Sequence, residues 1–440
     1  MMKILEQIAA FLWGPWMLAL VLGTGVYLTV GTRWLSVTKL KAAFRAALSP
    51  GGAEGEVSGF AALCTSLAAT LGTGNIIGVA TAVAAGGPGA LFWMQVAAFF
   101  GMATKYAEGY LAVRYRCRGI DGRFLGGPFY YLERGLRSPF LARLFASACV
   151  VTCLISMGTT SQINGMVTAA QDHFGGGVAT ALWVGGLTTL LVGLVLAGGL
   201  QRIAKVSTLL VPVMAAVYTL LTLWLLLQNL PRLPAATALI VRAAFAPRAV
   251  LGSAAGIGMG KAIRYGLGRG IFSNEAGMGS DPIAAATART DSPARQGLIS
   301  MLGPFLDTVV MCTLTGYAVV VTGAWNHPAL SGAGITLYAL RQLPLPQGTI
   351  SFLYMVCLFF FGFSSIIGLS FYGEQSLRYL FPCHGRCVLW FRLLFLVLLF
   401  CGSFMTAKAV WSLADIFCAL MAVPNLIGLL GLAKQVFREK

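Results

Sequence analysis

The chain has 440 residues, of which 58% are hydrophobic and 10% charged, with a mean hydropathy of +0.80. So few charged side chains do not cover a water-soluble globule of this size, which excludes a soluble enzyme and indicates a chain embedded in a bilayer. A formal net charge of +17 would suggest nucleic acid in a soluble protein, but the basic residues lie in short stretches beside apolar runs. That is the pattern of membrane topology, so lipid and not nucleic acid is the expected partner.

Apolar runs long enough to cross the hydrocarbon core, which takes about 20 residues each, recur along the chain. They cover roughly 10–31, 60–85, 88–113, 145–170, 177–199 and 206–228, then 254–290, 296–323, 350–380, 388–406 and 409–432, about eleven in all. The first run, Phe11 to Val30, has the length of a span and no clear small-residue cleavage site, and is expected to be a retained helix. With alternating crossings, Arg33, Lys39, Lys41, Arg45, Arg114, Arg116, Arg118, Arg123, Arg134 and Arg137 fall on one side. Arg202, Lys205, Arg289, Arg295, Arg378, Arg386, Lys434, Arg438 and Lys440 join them, against Arg232, Arg242, Arg248, Arg341 and Lys408 opposite. The richer side is expected to be cytoplasmic, with the N-terminus outside and the C-terminus inside; the absence of organelle targeting suits a bacterial inner membrane.

Two runs are interrupted by residues that break helices: Leu71-Gly72-Thr73-Gly74-Asn75, and Phe272 to Ser280 in the order Phe-Ser-Asn-Glu-Ala-Gly-Met-Gly-Ser. The interruptions stand five runs apart. Five helices per unit turn two repeats into opposite orientations, the inverted arrangement of secondary transporters. The chain is expected to be one membrane domain: an added helix and loop over 1–58, a first repeat over 59–230 and a second over 250–433. An unwound segment leaves N–H and C=O groups that hydrocarbon does not satisfy, and a small zwitterion with a cation suits them. A close crossing of helices at small residues is the alternative. Asn75, Gln162, Ser273, Asn274, Ser364 and Ser365 make a polar but uncharged surround; only Glu275 is charged.

Other chemistry finds little support. His173, His327 and His384 lie in expected loops without convergent partners, so no enzyme is expected. Gly266-x-Gly268-x-Gly270 does not follow a strand, which disfavours a phosphate cradle. Cys383, His384 and Cys387 lack the spacing of a zinc site, and Cys64, Cys153, Cys312 and Cys357 read as buried thiols. A channel with an unwound filter is closer in physics and differs in not saturating with an organic solute.

Over nearly the whole chain the sequence resembles the alanine or glycine:cation symporter family, also called the sodium:alanine symporters. The stretches that carry the resemblance are LAATLGTGNIIGVATAVAAGGPGALFWM, GMATKYAEGYLAVRYR, GGPFYYLERGL, GRGIFSNEAGMGSDPIA, RQGLISMLGPFLDTVV and WSLADIFCALMAVPNLIGLLGL. It implies an all-α LeuT-type fold of two inverted five-helix repeats with an extra N-terminal helix, and symport of a small neutral amino acid with Na⁺, without an organic cofactor. By resemblance the substrate carboxylate meets the backbone at Thr73 and Gly74 beside Asn75. The amino group faces Phe272, Ser273 and Asn274, and Gln162 contributes. The cation lies among the carbonyls of Ala68 and Leu71 and the hydroxyls of Ser364 and Ser365.

Two positions depart from the family pattern. Leu369 stands where the family commonly has Trp, which enlarges a pocket there unless Phe361 or Phe371 fills the space. Asp281 stands where the family usually has a small residue, and reads either as a coupling acid like Glu275 or as part of a helix start, Ser280-Asp281-Pro282. The competing expectation is therefore a proton-coupled symporter with a larger neutral substrate such as glutamine. Lys105 and Glu108 are expected to pair along one helix face, and Asp307, Glu374 and Asp415 to make structural pairs. Substrate preference and oligomeric state are not legible.

Overall fold

A computed structural model describes residues 7–9, 11–50, 52, 54–119, 122–246, 258–382, 385–405 and 407–438, with the backbone alone at 156 and 407–414. Arg248, Cys383, His384, Lys440 and the expected span start at 254–257 lie outside the described residues, as does the side chain of Lys408. The long helices follow the apolar runs, because a segment in hydrocarbon has to satisfy its own backbone groups. They are α1 (Pro15–Gly31), α2 (Leu40–Leu48), α3 (Gly59–Thr70), α4 (Ile77–Gly86) and α5 (Gly89–Arg114). A two-stranded hairpin, β1 (Cys117–Arg118) and β2 (Phe124–Leu125), comes next. Then come α6 (Pro139–Phe174), α7 (Val178–Ala197), α8 (Gly199–Gln228), α9 (Leu233–Phe245), α10 (Met259–Asn274) and α11 (Asp281–Ala285). The last are α12 (Pro293–Val321), α13 (Ala333–Leu340), α14 (Gln347–Leu380), α15 (Gly385–Gly402) and α16 (Ala407–Arg438).

Among the described residues, seven helices are long and apolar enough to cross a membrane, and the bent pair α3–α4 makes an eighth. The other expected spans fall on α1, an apolar helix of 17 residues, on α5, which carries Lys105, Glu108 and Arg114, and on the interrupted segment at α10. The expected loops at 229–253 and 324–349 contain α9 and α13. His173, expected in a loop, occupies the last turn of α6 beside Phe174 and Phe352. The helix does not stop before it because Gly175, at φ 96°, is the first residue suited to ending it.

At one end of the bundle two arginines hold distant loops together. Arg116 donates to the carbonyls of Ala288 (2.8 Å) and Thr290 (2.7 Å), and Arg295 donates to those of Ser49 (2.8 Å) and Pro50 (2.6 Å). Position 57 bridges to Ala288. Loops from three distant parts of the sequence are thus closed by guanidinium groups on carbonyls.

The centre of the bundle is where α3, α8 and α14 pack together and α6 packs along α14, while α5 runs along α10 and α12. Helices buried on most sides are apolar all round, and close crossings fall at small residues. Gly368 of α14, for example, would set a Cβ 2.8 Å from the backbone N of Ala69.

Candidate binding site

The first break begins where α3 ends. Ser58 starts that helix, its Oγ accepting from Ala61 N at 3.1 Å, and Leu71 N–H still closes on Leu67 O at 2.7 Å. The next amide leaves the ladder: Gly72 N–H, which a continuing helix would return to Ala68, donates to Asn75 Oδ1 at 3.1 Å. A short 3₁₀ turn, Thr73–Asn75, leads into α4 at an angle of 62° to α3. Glycine is needed at 72 for close approach, since a Cβ would sit 2.5 Å from Ser365 Oγ and 2.9 Å from Gln162 Oε1. That same Gln162 oxygen accepts from Thr73 N (3.1 Å) and Thr73 Oγ1 (2.9 Å), and a Cβ on Gly74 would meet open space. On the far side Thr336 of α13 donates to Ile76 O at 3.1 Å, so an expected loop contributes to holding the break.

The second break follows α10. Glu275 is left-handed (φ 53°), and Gly277 (φ 87°) and Gly279 (φ 81°) take backbone conformations that cost a side chain, which explains the glycines of the motif. Asn274 is turned inward, its Oδ1 accepting from Ala276 N at 3.0 Å and its Nδ2 donating to Thr308 Oγ1 at 3.1 Å. Phe272 is buried under the guanidinium of Arg269, 5.5 Å from its ring centre.

One carboxylate joins the two breaks. Asp307, fully buried in α12, accepts from Asn75 Nδ2 (2.7 Å) on Oδ1, and from Ser273 Oγ (2.8 Å) and Thr308 Oγ1 (2.7 Å) on Oδ2. It makes no ion pair among the described residues, contrary to the expected structural pairing. Neutral donors from both broken segments take the place of a cation, and such charge-assisted bonds are the stronger kind. Cys312, one turn of the widened helix Phe305–Cys312 later, lies 3.5 Å from Asn75 Nδ2 and 3.4 Å from Ser273 Oγ. Sequence reading took Asp307 for a structural pair and Cys312 for a buried thiol, and passed over Thr308; the signal for a role at the breaks was an acid in an apolar run with no basic residue within a helical turn.

Ser364 and Ser365 sit where α14 crosses the end of α3. Ser364 Oγ donates to Phe361 O at 2.9 Å with Leu71 O 3.5 Å away, and Ser365 Oγ, which faces Gly72, makes no hydrogen bond among the described residues. Ala68, one turn before the break, is fully buried. Leu369 is buried on the stripe of α14 that also holds Gly362 and Gly373. Of those two glycines, Gly362 lies against Met166 of α6, and Gly373 against Phe391 of α15 and Cys153 of α6.

The buried charges depart from two expectations. Lys105 pairs with Asp281 across the bundle (Nζ to Oδ2 3.7 Å), not with Glu108 on its own helix. Asp281 also accepts from Ser66 of α3. Glu108 Oε1 instead accepts from Asn425 Nδ2 (2.7 Å) and Gly277 N (3.2 Å), a backbone donor freed by the second break. The helix start at Ser280-Asp281-Pro282 has its proline but not its cap: Ser280 is itself helical and its hydroxyl donates to Glu275. Glu374 pairs with Arg378 (3.1 Å) and Arg392 (2.8 Å), and Asp415 with Arg269 (3.9 Å), as expected for structural pairs. Among the described residues no group of three His, Cys, Asp or Glu side chains is placed to hold a metal ion.

A helical bundle with two interrupted helices side by side, lined by amide and hydroxyl groups, is the LeuT type of transporter architecture. The crystal structure of MhsT in complex with L-phenylalanine shares it with a TM-score of 0.59 at 12% identity, over 85% of this chain and 89% of that one, a likeness of fold alone. The chain belongs to the sodium:alanine symporter family, whose model matches residues 1–440. It is 48% identical to an uncharacterized transporter of Haemophilus influenzae over 99% of this chain and 95% of the relative. It is 40% identical to the sodium/alanine symporter AgcS of Methanococcus maripaludis (99% and 96%). Identity to the probable sodium/glutamine symporter GlnT of Bacillus subtilis is 37% (99% and 90%). The protein is therefore a multi-pass membrane transporter, not an enzyme family member.

Proposed function

We propose that the protein is a secondary active symporter that brings a small neutral amino acid of the alanine or glycine type into the cell together with Na⁺. The observation that carries this reading is the joining of both breaks at one point, Asn75 and Ser273 on the two oxygens of Asp307 with Gln162 on Thr73. The substrate carboxylate binds at Thr73, Gly74 and Asn75, where the half-helix α4 begins and its dipole favours an anion. The ammonium meets carbonyls near Phe272, Ser273 and Asn274, and Gln162 holds the Thr73 turn from the opposite side. Leu369 bounds the side chain.

Na⁺ binds among the carbonyls of Ala68 and Leu71 and the hydroxyls of Ser364 and Ser365. Support comes from the amide of Gly72 turning away from Ala68 and from the free Ser365 hydroxyl. Such hard oxygens suit a small cation. Inward movement of one charge gains about 2.3 kcal/mol per 100 mV, or roughly fortyfold accumulation of a neutral solute. Repeats over 59–230 and 250–433 rock about this mid-membrane point in a bacterial inner membrane, with the N-terminus outside and the basic end cytoplasmic.

A second reading, proton coupling with a larger neutral substrate such as glutamine, is favoured by the buried Glu275, whose Oε1 makes no hydrogen bond among the described residues, together with Asp281 and Leu369. Radiolabelled alanine uptake into proteoliposomes under separate Na⁺ and H⁺ gradients tests the two. Sodium-driven accumulation that Ser364→Ala/Ser365→Ala abolishes supports the first. Accumulation driven by protons alone overturns it and moves coupling to Glu275 or Asp281. Preference for glutamine that Leu369→Trp converts to alanine supports the larger pocket.

A further inference from the structure

At the arginine-rich end of the bundle a cavity of about 1090 Å³ opens between the β1–β2 hairpin, the beginning of α6, the end of α14 and the start of α15. Ligand-sized clefts run to roughly 300–1,000 Å³, so this one has room for a headgroup with water. Among the described residues its wall carries Arg118, Arg134, Arg143 and Arg378 against a single carboxylate, Glu133. Arg118 is engaged by Glu54 at 3.3 Å and Arg378 by Glu374 at 3.1 Å. Arg134 and Arg143 make no ion pair among the described residues, and Arg134 lies over the Tyr130 ring at 5.1 Å. Tyr130 is in turn held against Tyr379, 5.4 Å between ring centres, and Tyr379 stacks on Phe129 at 4.8 Å. Two uncommitted guanidinium groups thus stand on an aromatic floor.

The surroundings of the cleft are apolar. Phe140 (73% exposed) and Leu144 share a face of α6 with Arg143, Phe381 (57%) lies in the cleft wall, and Leu389 (57%) and Trp390 (70%) project from α15 beside it. A water-soluble anion would be served by the arginines alone and leaves these side chains uncovered. Tyrosine and tryptophan beside arginine is the composition of the membrane interface.

We propose that this cleft binds the headgroup of an anionic phospholipid, its phosphate on Arg134 and Arg143 and its acyl chains along the exposed apolar faces of α6 and α15. Guanidinium is matched to phosphate geometry, and basic pockets between membrane helices collect anionic headgroups. This site is separate from the two breaks and does not depend on which substrate or ion is carried.

The test is native mass spectrometry of the full-length protein with phosphatidylglycerol or with phosphatidylcholine of the same chains. Arg134→Gln/Arg143→Gln is compared with Arg202→Gln/Lys205→Gln, which removes the same charge elsewhere on the basic side. Loss of phosphatidylglycerol adducts on the order of tenfold in the first variant only, with phosphatidylcholine adducts unchanged, is expected from two phosphate contacts. Arg134→Lys/Arg143→Lys, which keeps the charge, is expected to recover part of the binding. Equal losses in both variants would reduce the effect to general surface charge and overturn the site. Displacement of the lipid by millimolar inorganic phosphate alone would assign the cleft to a soluble anion and overturn it too. A matching size-exclusion profile for each variant shows that the fold is retained; if the cleft variant does not retain it, quenching of tryptophan fluorescence by brominated phosphatidylglycerol, compared in wild type and Trp390→Phe, decides. Quenching reduced in Trp390→Phe supports the site, and unchanged quenching overturns it.

Discussion

Replacing Asp307 by asparagine keeps the shape of the side chain and removes one of its two acceptor oxygens. If the remaining oxygen keeps Asn75, the new amide faces Ser273 and Thr308, whose hydroxyls now donate at 2.8 and 2.7 Å to Oδ2. Bonds to a charged group are worth roughly 1.5–3 kcal/mol each, and both hydroxyls retain some freedom to turn and accept. A net loss of about 2–4 kcal/mol follows, roughly 30- to 700-fold when converted at 1.4 kcal/mol per tenfold. That loss is shared between the fold and the transport cycle, so two quantities are measured on Asp307→Asn: alanine uptake efficiency in proteoliposomes and the thermal midpoint in detergent. Uptake within about threefold of wild type together with an unchanged midpoint would refute the idea that this carboxylate ties the breaks together.

Lys105→Met leaves Asp281 buried without its cation and is expected to cost about 3–5 kcal/mol, whereas Lys105→Met/Asp281→Ala recovers most of that stability. Thermal unfolding in detergent reads both, and a double variant as unstable as the single one would dismiss the pair. Gly72→Ala drives a methyl to within 2.5 Å of Ser365 Oγ and is expected to cost about 1–3 kcal/mol. Adding Ser365→Gly recovers part of it, since the contact with Gln162 Oε1 at 2.9 Å remains, while Gly74→Ala, whose methyl enters open space, leaves stability near wild type; the same unfolding assay checks all three.

Composition alone is enough to place the chain in a bilayer, and the lengths of its apolar runs place most of the helices, since hydrocarbon leaves the backbone few ways to satisfy itself. The two interruptions are equally legible, because Gly72, Gly277 and Gly279 and the polar residues around them resist a continuous apolar helix. Gln162, Asn75 and Ser273 could be picked out for the same reason: an amide or hydroxyl in hydrocarbon needs a partner. The identity of each partner is another matter. Asn75 meets Asp307 across 232 residues and Ser66 meets Asp281 across 215, and no local pattern encodes which distant group arrives. Neighbouring charges at helical spacing pointed to Lys105 with Glu108, but the bundle turned Lys105 toward Asp281 and offered Glu108 the amides of Gly277 and Asn425. Local burial and backbone chemistry are written in the order of the residues, whereas the pairing of buried polar groups depends on which helices cross at the same depth, and only the packed bundle decides that.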